Sequence, residues 1–343
     1  MDFIQITEIQ EELQVTQIQK QIPSKIFIVP YRNRIQHKFF FSKYMTFLLE
    51  DEAPGDYEIY FSHQSDSKPF NRGAAKNIGF LAMKQKYQLD YKDITFIFND
   101  VDTVPFNKIF NYDTTCGVVQ HLYGFKFALG GIVIFKGADF EKINGYPNYW
   151  GWGMEDNVIQ QRCQKHQLVI DRSQFVPIGC QDILQMFDGI KRIVTRSAVP
   201  EAINDNGVDG LKTIRNLLYT IDSESSNDND NVHSAENPNI YYINIHRFQT
   251  LTSPEDKNLE TYDLRSKPRK INDYEYPAMA MQMNTHTAQQ NNIQNTQNKK
   301  NVNSQTNVNP NVNIYSPEYA RIMNIKERAT TSVNIGMGGL MKK

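Results

Sequence analysis

Residues 96–105 read FIFNDVDTVP, and the fold follows from how that stretch ends. Its first half continues a short β-branched and aromatic run, which predicts a buried strand over residues 94–98. Its second half breaks into Asp100-Val101-Asp102 ahead of a proline. In an open α/β sheet, ligands bind beyond the carboxyl ends of the strands. A strand that runs directly into two carboxylates therefore predicts such a sheet, with a site at its edge. Carboxylates at i and i+2, where a strand frays, can meet one hard divalent cation and a diphosphate. An Asp-rich turn after a strand is the plain alternative.

Outward from this strand the pattern alternates. KIFIVP at 25–30 and YEIYFS at 57–62 are further apolar runs that read as strands. Residues 37–49 carry Phe, Tyr, Met and Leu at helical spacing. Residues 71–86 place Ala74, Ala75, Ile78, Leu81 and Ala82 on one helical face. Residues 117–121 and 131–135 add two strands, and 158–166 a helix. Strand, helix, strand, helix, strand predicts an α/β domain with a mostly parallel central sheet and helices on both faces. The domain is expected over residues 25–250, with a polar surface insert at 223–237 and an extension at 251–277. Residues 1–24, rich in Gln and Glu, form a leader or extra helix. Residues 278–343 are rich in Asn, Gln, Thr and Lys. They have too little apolar surface to offset ordering entropy, so a disordered tail is expected.

Composition narrows the function. Lys plus Arg number 37 and Asp plus Glu 38, a net charge of −1, which does not suit a nucleic-acid partner. Three cysteines, Cys116, Cys163 and Cys180, are too few and too scattered for a disulfide framework or a zinc site, and read as reduced thiols. The first residues contain no signal-peptide core and no run near the ~18 apolar residues of a membrane span. The expectation is a soluble protein in a cytoplasmic or viral-factory-like setting, since the Asn, Ile, Lys and Tyr usage suits an AT-rich genome.

Four more stretches carry possible chemistry. Residues 145–158, GYPNYWGWGMEDNV, hold both tryptophans, Trp150 and Trp152, in a glycine-rich loop that leads into Glu155-Asp156-Asn157 and a helix. Acids in a first helical turn suit the helix dipole; equally, Asp156 can serve as a general base and Trp152 as an apolar wall for a sugar ring. Residues 29–34, VPYRNR, end a strand with Arg32 and Arg34, whose guanidinium forks suit phosphate oxygens. Residues 70–80, FNRGAAKNIGF, place Asn71 as a helix N-cap and Arg72 where an anion could bind. Residues 127–135, FALGGIVIF, contain Gly130-Gly131, which permits either close backbone approach to a ligand or a bulge before a strand.

Taken in order, VPYRNR, FNRGAAKNIGF, FNDVDTVP, LGGIVIF and INGYPNYWGWGMED resemble the β-1,4-galactosyltransferase family, from about residue 25 to 200 and more weakly to Phe248. The W-G-x-E-D element is also similar to that of chondroitin-type hexosaminyltransferases, which widens the range of donors. The resemblance implies a GT-A fold, Rossmann-like and built as a single catalytic domain. It implies an inverting transfer of a hexose or N-acetylhexosamine from a UDP-sugar to a glycan or glycoconjugate hydroxyl, with Mn²⁺ or another divalent cation. Carried over, Pro30, Tyr31, Arg32, Arg34, Phe70 and Arg72 match nucleotide contacts. Asp100, Val101 and Asp102 match the DVD motif, whose last aspartate ligates the metal. Gly130 and Gly131 match the donor-sugar glycines. Trp150, Trp152 and Gly153 fall in the mobile acceptor-side lid, and Glu155 and Asp156 match the acidic pair, with Asp156 as the base.

The chain also departs from that pattern. Asn157 stands where the family has a third, acceptor-binding acid. Ala128 replaces a tyrosine that touches the donor's C2 substituent, and Leu122 replaces a common lysine. Met186 matches one metal ligand, but Gly189 stands in place of the histidine, which leaves Asp188 as a substitute oxygen ligand. The membrane anchor of animal Golgi members is not seen. The alternative reading is a catalytically inactive carbohydrate-binding or structural protein on the same fold.

Overall fold

In the computed structural model, which describes residues 22–53, 55–195, 197–223 and 237–266, the strand ahead of the two aspartates is β3 (Thr95–Asn99). It pairs in parallel with β1 (Lys25–Tyr31), which pairs in parallel with β2 (Tyr57–Gln64). Between them run α1 (Ile35–Leu48) and α2 (Arg72–Lys86), as the alternating pattern predicts. After a short β4 (Thr103–Pro105) come β5 (Val118–Gly124), β6 (Ile132–Lys136), α3 (Gly137–Lys142), α4 (Glu155–Lys165), β7 (Val169–Asp171), β8 (Val176–Pro177) and β9 (Ile183–Gln185). The chain then adds β10 (Lys191–Thr195), α5 (Ala198–Ile203), β11 (Arg215–Ser223), β12 (Ile240–Gln249) and β13 (Leu259–Asp263).

The main sheet has nine strands in the order β11-β12-β2-β1-β3-β6-β5-β7, with β8 beside β5. Strands β12, β2, β1 and β3 are mutually parallel, and β6 runs antiparallel to both β3 and β5. The reversal has a simple cause. Strand β5 reaches β6 through the short turn at 125–131, and a parallel return needs a crossover of a dozen or more residues. The consequence is functional: the carboxyl end of β3 lies beside the start of β6, with Asn99 opposite Ile132. The amide of Asp100 donates to the carbonyl of Gly131 at 3.0 Å, so the aspartate turn and the glycine pair are one structure.

Apolar side chains on the two sheet faces make two cores. Phe41, Met45 and Leu48 of α1 pack with Phe27, Val29 and Phe61 on one face. Ala74 and Ile78 of α2, Phe140 of α3, and Ile159 and Cys163 of α4 pack with Phe96 and Phe98 on the other. Each of these large apolar side chains contributes about 1.5–3 kcal/mol by leaving water. Helix α2 starts where expected: the Asn71 side chain accepts from the Ala74 amide at 2.8 Å, a cap worth about 1 kcal/mol. Further along α2, the Asn77 amide donates to the Tyr146 carbonyl at 2.7 Å and to Asn148 at 2.9 Å. That anchors the stem of the tryptophan loop to the helix.

Residues 251–266, part of the expected extension, supply β13, which pairs antiparallel with β10. The expected leader (1–24, of which 1–21), insert (223–237, of which 224–236) and tail (278–343) fall outside the described residues. No helix among the described residues is long and apolar enough to cross a membrane.

Candidate active site

Arg72 stands at the first position of α2, facing the carboxyl end of β3. Its guanidinium makes a bidentate pair with Asp100, Nε to Oδ1 at 3.2 Å and Nη2 to Oδ2 at 2.6 Å, and contacts Glu155 at 2.7 Å and Asp156 at 2.9 and 3.0 Å. One turn later on the same helix face, Lys76 points inward and is 1% exposed. Its ammonium lies 3.4 Å from Asp100 and 3.9 Å from Asp156, and 4.6 Å from the centre of the Tyr146 ring. Three carboxylates thus share one cluster with two cations.

The environment separates the acids. Burial alone would push Asp100 up, but Arg72 and Lys76 outweigh it and hold that carboxyl below the usual range. Asp156 goes the other way. Burial, with Glu155 and Asp100 adding to it, raises its carboxyl despite Arg72 and Lys76. Burial pulls Arg72 down, but Asp100, Asp156 and Glu155 more than restore it. Burial and the neighbouring Arg72 lower Lys76. A carboxylate with raised proton affinity beside one that stays ionised is the pattern of a base and an electrostatic partner.

Asp156 also explains a glycine. A Cβ built on Gly130 would meet Asp156 Oδ2 at 2.4 Å, so it is the carboxylate that approaches the backbone there. Gly131 has φ of +74° and faces the Tyr123 carbonyl, a conformation that suits glycine. The Gly130 carbonyl faces Nε2 of His121 at 3.2 Å; burial, with Arg172 beside it, lowers that imidazole to about 3. His121 therefore supports the glycine turn as a neutral ring.

A second cluster lies across the aspartate turn. Pairing of β4 with β9 brings the Met186 amide to the Asp102 carbonyl at 2.7 Å. Burial, followed by the carboxylates of Asp100 and Asp188, pushes Asp102 up to about 6. Its side chain accepts from the Thr103 hydroxyl at 3.0 Å, and among the described residues it forms no ion pair. Asp188 is held by Arg34 at 3.1 Å and by Arg192 at 2.5 Å. No group of three or more His, Cys, Asp or Glu among the described residues forms a ready metal cage. A hard cation with one or two protein carboxylates and substrate phosphates for the rest needs no such cage, and the carboxylate pair Asp102 and Asp188 has the right chemistry for it.

The tryptophans, expected together on the lid, take different places. Trp150 is 1% exposed, stacks on Phe248 at 5.5 Å, and its indole N–H donates to the Thr252 carbonyl at 2.7 Å. It belongs to the core because its partner arrives on β12. Trp152 is 50% exposed. Its amide donates to the Ile193 carbonyl at 2.6 Å and its ring lies 5.9 Å from the Arg192 guanidinium. Gly153 and Met154 follow in left-handed backbone, with φ of +122° and +71°, and Met154 is the N-cap residue ahead of α4. A non-glycine residue held there stores strain at the base of the loop.

The remaining expected residues divide between site and scaffold. Pro30 is buried in β1, Tyr31 packs on Phe61, and Val101 is buried in the α1-side core. Arg32 donates to the Asp66 carbonyl at 2.7 Å and to that of Lys68, so it closes the turn before α2. Phe70 is half-buried beside that turn. Ala128 is buried, and its amide donates to Phe125. The Asn157 amide reaches the Phe127 carbonyl at 3.4 Å, which ties the 125–129 turn to α4. Sequence reasoning missed Lys76, Arg192 and the latch at Ile193. Only Lys76 left a trace, as a lysine four residues after Arg72 on an otherwise apolar helix face.

Two family profiles match the chain. One is described as the N-terminal region of glycosyl transferase group 7 and covers residues 14–116; the other, described as the N-terminal domain of galactosyltransferase, covers 115–186. The chain is 36% identical over 163 residues to beta-1,4-galactosyltransferase 4 of Cricetulus griseus, covering 42% of this chain and 44% of that protein. It is 33% identical over 172 residues to beta-1,4-galactosyltransferase 1 of Homo sapiens, covering 47% and 42%. It is 30% identical over 215 residues to the xylosylprotein 4-beta-galactosyltransferase of Caenorhabditis elegans, covering 57% and 71%. The chain thus spans less than half the length of the first two. The fold is similar to the catalytic domain of Drosophila beta-1,4-galactosyltransferase 7 crystallised with xylobiose. That match has a TM-score of 0.50 and 22% identity, and covers 66% of this chain and 94% of that one. A mutant of the same protein, crystallised with manganese, UDP-Gal and xylobiose, matches equally well.

Proposed function

The chain belongs to the β-1,4-galactosyltransferase family, and from that premise we propose that it is an inverting, divalent-cation-dependent glycosyltransferase. It moves a hexose or N-acetylhexosamine from a UDP-sugar to a hydroxyl of a glycan or glycoconjugate. The observation that carries this reading is the cluster in which Arg72 holds Asp100, Glu155 and Asp156, the last against Gly130, at the edge where an α/β sheet binds its ligands.

The residues divide the work as follows. Asp102, with Asp188 beside it, would hold Mn²⁺ or a similar cation, and that cation when bound neutralises charge on the departing diphosphate. A carboxyl crowded by two others, and with no ion pair among the described residues, is relieved by a cation, which supports that role. Asp156, its proton affinity raised by burial, takes the proton of the acceptor hydroxyl. The hydroxyl oxygen then attacks the anomeric carbon from the face opposite UDP, forming the new glycosidic bond as the bond to the diphosphate breaks. Asp100 stays ionised and keeps Arg72 in place. Trp152 offers an exposed apolar ring as a wall for a sugar, and its loop excludes water, which would otherwise hydrolyse the donor.

A panel of UDP-sugars, assayed for Mn²⁺-dependent UDP release with and without xylobiose, tests the proposal. Asp156→Asn should cut turnover by about 10²–10⁴ with UDP-sugar binding retained, the usual scale for loss of a general base. Binding of UDP-sugar by the unaltered protein with no turnover on any acceptor would favour a sugar-binding protein instead. Loss of donor binding in Asp156→Asn would show that Asp156 holds the donor and is not the base.

A further inference from the structure

Lys76 is a charged side chain on the apolar face of α2, buried to 1% exposure, and the chemistry above makes no use of it. Burying an ammonium costs several kcal/mol unless it is compensated, and Phe80, one turn further on along the same face, is fully buried apolar core. Its partners are specific. The ammonium faces Asp100 and Asp156, both on the Oδ1 side, and Asp156 Oδ2 lies against Gly130. The groups facing Asp156 can be named from each element. They are Arg72 and Lys76 on α2, Asp100 after β3, Glu155 on α4 and Tyr146 on the loop before α4. Without Lys76, three carboxylates would share a single guanidinium. Carboxylates crowded at one site do not all ionise near neutrality. The one that protonates first is the one already raised, Asp156.

We propose that Lys76 is a positioning residue for Asp156: its ammonium keeps that carboxylate ionised beside Glu155 and Asp100 and turned toward Gly130. The proposal rests on the reading of Asp156 as the base. Arg72 also holds Asp156, but its one positive charge is divided among three carboxylates, with Nη2 on Asp100 and Nη1 on both Glu155 and Asp156, so the second cation supplies charge that the guanidinium alone does not. The lysine reaches both Asp100 and Asp156 from one atom.

The test reads the carboxyl directly. In protein labelled with ¹³C at aspartate carboxyls, the Asp156 resonance is assigned by its loss in Asp156→Asn and titrated in the unaltered protein, Lys76→Met, Lys76→Gln and Lys76→Arg. The titration midpoint should rise by about one pH unit in the Met and Gln variants, the scale set by an opposite charge within ~4–6 Å. Lys76→Arg, which retains the charge, should restore most of it. The acidic limb of Mn²⁺-dependent UDP release from UDP-galactose, with xylobiose as acceptor, should move by the same amount. At pH above the new midpoint the variants should recover most of the turnover, which a purely structural defect would not allow. An unmoved midpoint in both uncharged variants, with Asp156→Asn still inactive, overturns the proposal and leaves the base assignment standing. Full turnover in Asp156→Asn overturns the base assignment and the proposal with it. Two uncharged variants guard against one that fails to fold, and thermal melting identifies such a failure.

Discussion

Gly130→Ala adds one methyl group at the point where the proposed base meets the backbone, so it isolates the geometry of the site. The new Cβ would stand 2.4 Å from Asp156 Oδ2 and 2.9 Å from its Cγ, whereas ordinary contact begins at 3.4 Å. The carboxylate must therefore retreat by 3.4 − 2.4 = 1.0 Å. It cannot do so freely, because Arg72 holds it at 2.9 Å and Lys76 lies 3.9 Å from it. A misplacement of about 1 Å in a reacting group costs roughly 100-fold in rate, or about 2.7 kcal/mol of barrier. Overpacking costs about 1–3 kcal/mol of stability, which lowers the melting temperature by several degrees without unfolding the domain. The assay is UDP release from UDP-galactose with Mn²⁺ and xylobiose, alongside thermal melting and UDP binding. Gly131→Ala is the contrast: its left-handed backbone and the Tyr123 carbonyl at 2.5 Å make it chiefly a folding defect. Turnover in Gly130→Ala within threefold of the unaltered protein would refute the placement of Asp156 as the reacting carboxylate.

Asp102→Asn should abolish both turnover and the rise in melting temperature that Mn²⁺ gives the unaltered protein. The sign of the pH effect follows from the raised carboxyl, near 6 in the folded chain against about 4 unfolded. Its ionisation weakens the fold as pH rises through that window, so without metal the Asn variant should melt higher than the unaltered protein at pH 7 and no higher at pH 4. Equal melting at pH 7 would show that Asp102 is not crowded. Trp150→Ala should cost about 3–5 kcal/mol of stability, the usual cost of removing a buried aromatic. Trp152→Ala should leave melting nearly unchanged and reduce transfer; equal melting losses would show that the two rings are equally buried. In the family resemblance, a tyrosine at the position of Ala128 crowds the donor's C2 substituent, so UDP-N-acetylgalactosamine should be used at least as well as UDP-galactose. Ala128→Tyr should shift the ratio toward galactose by up to about 10–200-fold, and a ratio unmoved by the substitution would place Ala128 outside the donor pocket.

The elements were legible wherever local chemistry sets them. Apolar runs marked β1, β2 and β3, helical spacing marked α1 and α2, and Asn71 announced the cap it makes. The grouping of the site was legible in part, because strand ends in a parallel sheet converge on one edge. What stayed hidden depends on partners far along the chain. Trp150 and Trp152 have nearly identical local surroundings, and partners far along the chain, Phe248 on β12 and Thr252 just after it, separate a core ring from an exposed one.

Arg72 shows the same limit for charge. Read locally, an arginine at a helix start invites an anion from solution, since helix N-termini bind anions. Here the anions are the protein's own, supplied from 28, 83 and 84 residues away. Once Asp100, Glu155 and Asp156 are gathered at one buried point, charge balance requires more than one guanidinium, and the nearest inward position on the same helix face is one turn on, at Lys76. The identity of that residue looks arbitrary in the sequence. It becomes necessary only when the three carboxylates are counted together, and that count exists only in the folded chain.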